Sequence, residues 1–233
     1  MNQQLIYIAD DEMNICNIIK SFLLKEGYAV QTYFNGRTLL EAFKKRPADL
    51  LILDIMMPEM DGYTLCAAIR EISNIPIIFV SAKDSETDRI VGLNLGSDDY
   101  MTKPFSPMEL VARVKSIFRR MELDRKSERN SGPVQIDDVI LYPERRYAEC
   151  KGMSLNLTMM EFNLMLYLGI NKNRAVSREE LLNKVWGFET EAGTRATDDM
   201  VKRIRGKLTD AGSDLRIETI WGFGFSISDI KRA

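Results

Sequence analysis

The chain has 233 residues, 45% hydrophobic and 28% charged, enough for two ordinary domains that each bury a core, and its apolar runs are too short to span a membrane. Histidine is absent, which excludes Ser-His-Asp and Cys-His nucleophiles and nearly every common zinc site. The formal net charge is −2, and residues 128–233 hold 16 basic and 16 acidic side chains, so total charge does not announce a nucleic-acid partner and only its clustering can.

The N-terminus lacks a basic region followed by an apolar core, so secretion is not expected. Leu5–Ala9 is a continuous apolar run that ends in Asp10, Asp11 and Glu12. Leu50–Leu53 ends in Asp54, and Ile75–Val80 ends in Ser81. Short apolar runs of this kind are expected of strands buried on both faces. Further strands are expected near Ala29–Tyr33 and Tyr100–Thr102. Between the strands, Ile15, Ile18, Ile19, Phe22 and Leu23 share one helical face, with Gly27 as a stop. Helices follow at Thr38–Lys45, Tyr63–Glu71, Glu86–Leu95 and Pro107–Met121, the last with Ser106 as N-cap. Strand then helix, five times over, implies a doubly wound parallel sheet with helices on both faces.

Residues 1–121 are therefore expected to form one domain. The polar stretch 122–133, ending in Ser131-Gly132-Pro133, reads as a linker. Residues 134–233 form a second, α+β domain. Its strands are expected at Val134–Ile136, Val139–Tyr142, Arg146–Cys150 and Ser154–Asn156, and its helices at Thr158–Ile170, Ser177–Trp186 and Arg195–Thr209. A hairpin, Arg216–Ile220 with Phe225–Ile227, closes the chain. The cysteines Cys16, Cys66 and Cys150 have no metal or redox spacing and read as buried thiols of a cytosolic protein.

In a doubly wound sheet, ligands collect at the carboxyl ends of the strands. Asp10, Asp11, Asp54 and Ser81 stand just after three of them, and Lys103 follows the fifth. Carboxylates gathered at one sheet edge repel unless a cation joins them, and an oxygen-only donor set favours Mg²⁺. Taken singly, these residues have plainer readings: carboxylates at a helix N-terminus, a strand-end serine, a solvated lysine. Together, Asp10-Asp11-Glu12, Asp54 within Leu-Asp-Ile-Met-Met-Pro-Glu-Met-Asp-Gly, Ser81-Ala82-Lys83 and Lys103-Pro104-Phe105 resemble the signature of response-regulator receivers over residues 4–121.

That resemblance implies a flavodoxin-like receiver in which Asp54 accepts a phosphoryl group from a sensor histidine kinase. It implies Mg²⁺ held by Asp11, Asp54 and the Met56 carbonyl, with Asp10 acting through water. It makes Ser81 and Lys103 contacts of the acyl phosphate and Tyr100 an aromatic switch. It further implies a homodimer on phosphorylation, with Arg89 pairing Glu109, Asp98 pairing Lys115, Asp99 pairing Arg113, and an apolar patch of Ile90, Leu93 and Val111. Asn94 replaces the acid expected opposite Arg120, so one ion pair is missing. Two rivals remain: an aspartyl-phosphate phosphatase, disfavoured because Met56 stands where its acid is needed, and a phosphorylation-independent pseudo-receiver.

In the second domain, Val201, Ile204 and Leu208 share one face of a helix, and Arg195, Asp199, Lys202 and Gly206 share the other, flanked by Arg203. An apolar back and a basic front suit a major groove, although a solvated face has the same pattern. The order of elements, with Leu157–Phe162, Ser177–Leu181 and Val185-Trp186-Gly187, is similar to the OmpR/PhoB winged helix over about residues 134–228. This resemblance implies promoter DNA as a partner, with RNA polymerase as a further one, and makes Arg195, Lys202, Arg203, Arg205 and Lys207 the DNA-contact candidates. Trp221 stands where the family has a wing arginine; its ring either packs on sugar or braces the hairpin, and bracing is the preferred reading. Asp199 either accepts from a cytosine amino group or pairs with Lys202 or Arg203. The Trp-Gly wing and the Ser-Ala-Lys-Asp turn faintly resemble regulators of lantibiotic or cell-envelope stress responses.

Overall fold

A computed structural model describes residues 3–83, 96–127, 132–186 and 195–228. The chain divides into two compact units, Met1–Val114 and Lys115–Ala233.

The first unit alternates β1 (Leu5–Ala9), α1 (Met13–Lys25), β2 (Ala29–Tyr33), α2 (Gly36–Lys45), β3 (Leu50–Leu53), α3 (Gly62–Arg70), β4 (Ile77–Ser81) and β5 (Asp99–Thr102), then enters α4 (Pro107–Ser127). The strands lie in the order β2-β1-β3-β4-β5, every neighbouring pair parallel. β1, β3 and β4 are buried on both faces, which is why they read as unbroken apolar runs. Tyr7, Leu51, Leu53 and Phe79 pack in one cluster with Leu39, Phe43, Leu65 and Ile69 of α2 and α3. Ile6, Ile8, Ile52, Ile78 and Val80, which alternate with them, are buried as well. Asn35 and Asp61 cap α2 and α3 through bonds from the Thr38 and Thr64 amides, at 2.9 and 2.7 Å. Gly27 takes a positive φ of 86° two residues after α1 and ends it as expected. The expected helix Glu86–Leu95 lies outside the described residues. α4 continues to Ser127, so 122–127 of the expected linker are helical. Glu122-Leu-Asp-Arg-Lys-Ser holds no glycine or proline, and the breakers Gly132-Pro133 come later.

In the second unit, β6 (Val134–Ile136), β7 (Val139–Tyr142), β8 (Tyr147–Cys150) and β9 (Met153–Ser154) form an antiparallel sheet in sequential order. Then come α5 (Met159–Ile170), the two-residue strand β10 (Val176–Ser177), α6 (Arg178–Leu181) running into a π-helical turn to Trp186, α7 (Arg195–Asp210), and the hairpin β11 (Ile217–Ile220) and β12 (Gly224–Ile227). β12 pairs with both β10 and β11. Strand β10 was not legible in the sequence, being too short to show a period. Val201, Ile204 and Leu208 of α7 pack with Phe162, Met165, Leu168, Leu181 and Trp186 in one core. Among the described residues, no helix is long and apolar enough to cross a membrane.

Candidate functional site

The parallel register sets the ends of β1, β3, β4 and β5 along one sheet edge. The Asp54 amide donates to the Ala9 carbonyl (2.7 Å), and the Lys103 amide donates to the Ser81 carbonyl (2.8 Å). Asp10 and Asp54 are only 2% and 4% exposed, whereas Asp11 is exposed. One carboxylate oxygen from each of Asp10, Asp11 and Asp54 falls within 4.8 Å of the others. Lys103 points into the cluster, its Nζ lying 2.8 Å from Asp10 Oδ2, 3.1 Å from Glu12 Oε1 and 3.3 Å from Asp54 Oδ2. The second Asp54 oxygen accepts from the Ile55 amide at 2.7 Å. The loop after β3 is pinned from below by Gly62. A Cβ there would stand 2.2 Å from the Asp54 carbonyl oxygen, so this contact requires glycine.

Burial pushes the Asp10 carboxyl above its ordinary pKa, against the pull of Lys103 and the Glu12 amide. Burial also disfavours the Lys103 ammonium, but its bond to Asp10 and the charges of Asp54 and Asp10 outweigh that and raise its pKa. Four acids, Asp10, Asp11, Glu12 and Asp54, thus face one ammonium. The surplus negative charge and the oxygen-only donors fit a hard divalent cation such as Mg²⁺.

Ser81 is fully buried, and its Oγ lies 3.4 Å from the Lys83 amide. Tyr100 is buried edge-on to Phe79, and its hydroxyl donates to the Lys83 carbonyl at 2.7 Å. Both side chains thus bond to the Lys83 backbone in the turn after β4. The Met56 side chain is exposed. All three cysteines are buried and free, and burial pushes the Cys16 thiol up to about 11, away from reactivity.

The expected dimer face is only partly where the sequence reading put it. Asp98 is not a surface partner for Lys115. It is fully buried and pairs with Arg70 at 3.0 Å, because that guanidinium also collects the carbonyls of Gly96, Ser73 and Ile75 at the sheet edge. Asp99 and Arg113 do meet, but within the chain and buried, in a bidentate bond at 2.8 and 2.9 Å, and Arg113 also binds Glu109. Burial raises the Asp99 pKa against the opposing charge of Arg113. Val111 is 7% exposed rather than part of an open patch, while Lys115 is exposed. Arg89, Ile90, Leu93 and Asn94, and the side chain of Arg120, lie outside the described residues.

The basic residues of α7 divide in a way that charge clustering did not reveal. Lys202 and Gly206 are exposed, with Asp199 half-buried on the same side of the helix. Arg203 turns inward to fully buried Glu161 of α5, 3.6 Å away, and Lys207 reaches the same carboxylate at 2.6 Å. Arg205 donates to the Ile217 carbonyl at 3.0 Å and to Thr219 Oγ1 at 2.9 Å. Three of the five DNA-contact candidates therefore hold the helix to its own domain, since each lies next to the apolar stripe rather than opposite it. The side chain of Arg195 lies outside the described residues. Glu161, which in the sequence marks only the Leu157–Phe162 resemblance and no charge partner, is the hub. It also closes a capping box with Thr158, and the Thr-x-x-Glu spacing was the available signal. Trp221 is 91% exposed, so it does not brace the hairpin. The stem is held instead by Phe225, which lies under the guanidiniums of Arg178 and Arg205.

Two family descriptions match the chain: "Response regulator receiver domain" over residues 6–115 and "Transcriptional regulatory protein, C terminal" over 152–227. The chain is 37% identical to the alkaline phosphatase synthesis transcriptional regulatory protein PhoP of Bacillus subtilis, over 99% of both chains. It is also 37% identical to the uncharacterized transcriptional regulatory protein YclJ of the same organism, over 96% of this chain and 99% of that one. A solved structure of DrrB from Thermotoga maritima, an OmpR/PhoB homolog, aligns over 97% of this chain and all of the other, with TM-score 0.52 and 29% identity. A mutant of RitR shares the fold with TM-score 0.82 at 22% identity, over 96% and 98% of the two chains.

Proposed function

The chain belongs to the OmpR/PhoB family of response regulators, and from that premise we propose that Asp54 carries the phosphoryl group by which a sensor histidine kinase controls DNA binding. One observation carries this reading: a nearly buried carboxylate at a strand end, 3.3 Å from an ammonium and gathered with two further aspartates. Transfer breaks the phosphorus–nitrogen bond of a phosphohistidine and forms a phosphorus–oxygen bond to Asp54. Such reactions depend mainly on positioning and on neutralising the charge of the transferred group. Asp10, Asp11, Asp54 and the Met56 carbonyl would hold Mg²⁺, which supplies positive charge when bound. Lys103, already within 3.3 Å of Asp54, neutralises a phosphoryl oxygen from the protein side. The Ser81 hydroxyl donates to another, and Tyr100 responds by leaving its bond to the Lys83 carbonyl.

The output is a population shift towards a receiver dimer that brings two winged helices onto promoter DNA together. Glu109, Asp99, Arg113 and Lys115, with Arg89 and Ile90 as the family resemblance adds them, form the dimer face. The Asp99–Arg113 pair already formed within the chain supports that face rather than crossing it. Lys202, with Asp199 and Gly206, faces the groove. The test is intact-mass measurement after incubation with acetyl phosphate and Mg²⁺. One phosphoryl group should appear on the native chain and none on Asp54→Asn, and dimer formation should follow the same pattern. Dimerisation unaffected by the phosphodonor would refute the switch.

A further inference from the structure

We propose that Tyr63 is a positioning residue of the switch: its ring holds the Lys83 ammonium and so resists the movement of the turn after β4 that phosphorylation requires. The proposal rests on the role of Asp54 given above. Lys83 Nζ lies 5.3 Å from the centroid of the Tyr63 ring. Both residues are half-buried, and an ammonium over an aromatic face is held more firmly as water is excluded.

The two residues come from different segments of the site. Tyr63 follows Gly62, whose amide donates to the Ile55 carbonyl at 3.0 Å and whose Cα packs against the Asp54 carbonyl. The ring is therefore fixed to the backbone that carries Asp54. Lys83 stands two residues past Ser81, in the turn that answers the phosphoryl group. Its amide lies 3.4 Å from Ser81 Oγ, and its carbonyl accepts from the Tyr100 hydroxyl at 2.7 Å. Edge-on contacts join the rings as well. Tyr63 and Phe79 have centroids 5.5 Å apart at 87°, and Phe79 and Tyr100 6.3 Å apart at 62°, within the favoured range for aromatic pairs. Lys83 thus bridges the two ends of an aromatic row, with its side chain at Tyr63 and its carbonyl at Tyr100.

Phosphorylation draws directly on the Ser81 and Tyr100 contacts. The Ser81 hydroxyl turns to a phosphoryl oxygen, and Tyr100 leaves the Lys83 carbonyl. The contact with Tyr63 is not one that the phosphoryl group takes up, so it goes on favouring the resting turn until the ammonium leaves the ring. A contact made in only one of two arrangements sets their ratio. Its loss should raise the fraction of unphosphorylated chain in the active arrangement roughly two- to fivefold. A dimer needs two active chains, so its dissociation constant should fall by the square of that factor, roughly four- to twenty-five-fold.

The test uses the full-length chain with ¹³C at the lysine ε-carbons, the Lys83 signal being identified by its loss in Lys83→Arg. The Lys83 ε-protons should be shifted upfield by the ring. They should return to the ordinary lysine position in Tyr63→Leu and, in the native chain, on treatment with acetyl phosphate and Mg²⁺. Sedimentation without phosphodonor reads self-association. Tyr63→Leu and Lys83→Met should each tighten it by the factor above, the double variant should go no further, and Tyr63→Phe, which keeps the ring, should behave as native. A merely structural role would weaken association, and its effects would add in the double variant. Lys83→Met and the native resonance carry the test if Tyr63→Leu does not fold. An ordinary Lys83 position in the resting chain, a shifted one that survives phosphorylation, or variants that associate as native would each overturn the role of Tyr63, provided intact mass shows a phosphoryl group on the native chain. A native chain that takes up none overturns the role of Asp54 and this one with it.

Discussion

Lys202 and Arg203 are adjacent in sequence, and the structure predicts opposite consequences of removing them. Arg203 is 8% exposed and lies 3.6 Å from Glu161, which is fully buried. Arg203→Ala leaves that carboxylate with Lys207 at 2.6 Å and the Thr158 amide at 2.8 Å. Breaking a buried ion pair costs about 3–5 kcal/mol when one partner is left bare. With two partners remaining, the loss should fall below that range, roughly 2–3 kcal/mol. Lys202 is exposed, and Lys202→Ala should change stability by less than about 0.5 kcal/mol. Its loss should instead reduce the salt slope of DNA binding by about 0.9, the share of one phosphate contact. Urea denaturation of the full-length variants gives the stabilities, and fluorescence anisotropy with a labelled duplex across a salt series gives the slopes. An unchanged urea midpoint for Arg203→Ala, together with a shallower salt slope, would place that guanidinium on the DNA and refute the inward assignment.

Three further outcomes follow from local geometry. Gly62→Ala drives a methyl into the Asp54 carbonyl; it should destabilise the first unit by about 1–3 kcal/mol, as overpacking does, and slow phosphoryl acceptance measured by intact mass. Gly206 has nothing within 4 Å of its missing Cβ, so Gly206→Ala should stabilise the second domain by roughly 1 kcal/mol in thermal unfolding; a loss would mean that the helix is strained there. Bonds from Arg174 and Tyr167 hold the Glu180 carboxyl down to about 2, from an ordinary 4.5. The folded pKa is depressed, so its stabilising effect is present above 4.5 and lost as pH falls from 4.5 towards 2. Native protein and Glu180→Gln should therefore differ in stability near neutrality and converge in acid, and a gap that widens on acidification would contradict the pairing.

Much of the first domain was legible because its signals are local. Strands buried on both faces must be apolar throughout, so Leu5–Ala9, Leu50–Leu53 and the run into Ser81 stood out, and the residue that ends each run is placed at the sheet edge by topology alone. The second domain yielded its elements but not the duties of its charges. Helical periodicity puts Arg203 and Lys207 beside the apolar stripe, where they can swing either way. What decides the matter is Glu161, more than forty positions upstream on another helix. Asp98 is hard to read for the same reason: its partner Arg70 is distant in sequence, and an Asp-Asp pair at a strand start gives no sign of burial. Trp221 departs from the bracing role expected of it because Phe225, held by two arginines, already fills that place.

Everything proposed for the switch depends on one particular aspartate becoming the phosphate carrier. Borohydride reduction of the phosphorylated chain, followed by peptide sequencing, reads that position directly, since an acyl phosphate is converted to homoserine and a free carboxylate is not. Homoserine is expected at position 54 alone. Conversion at Asp10 or Asp11 instead, or at no residue after full exposure to phosphodonor and magnesium, would contradict it.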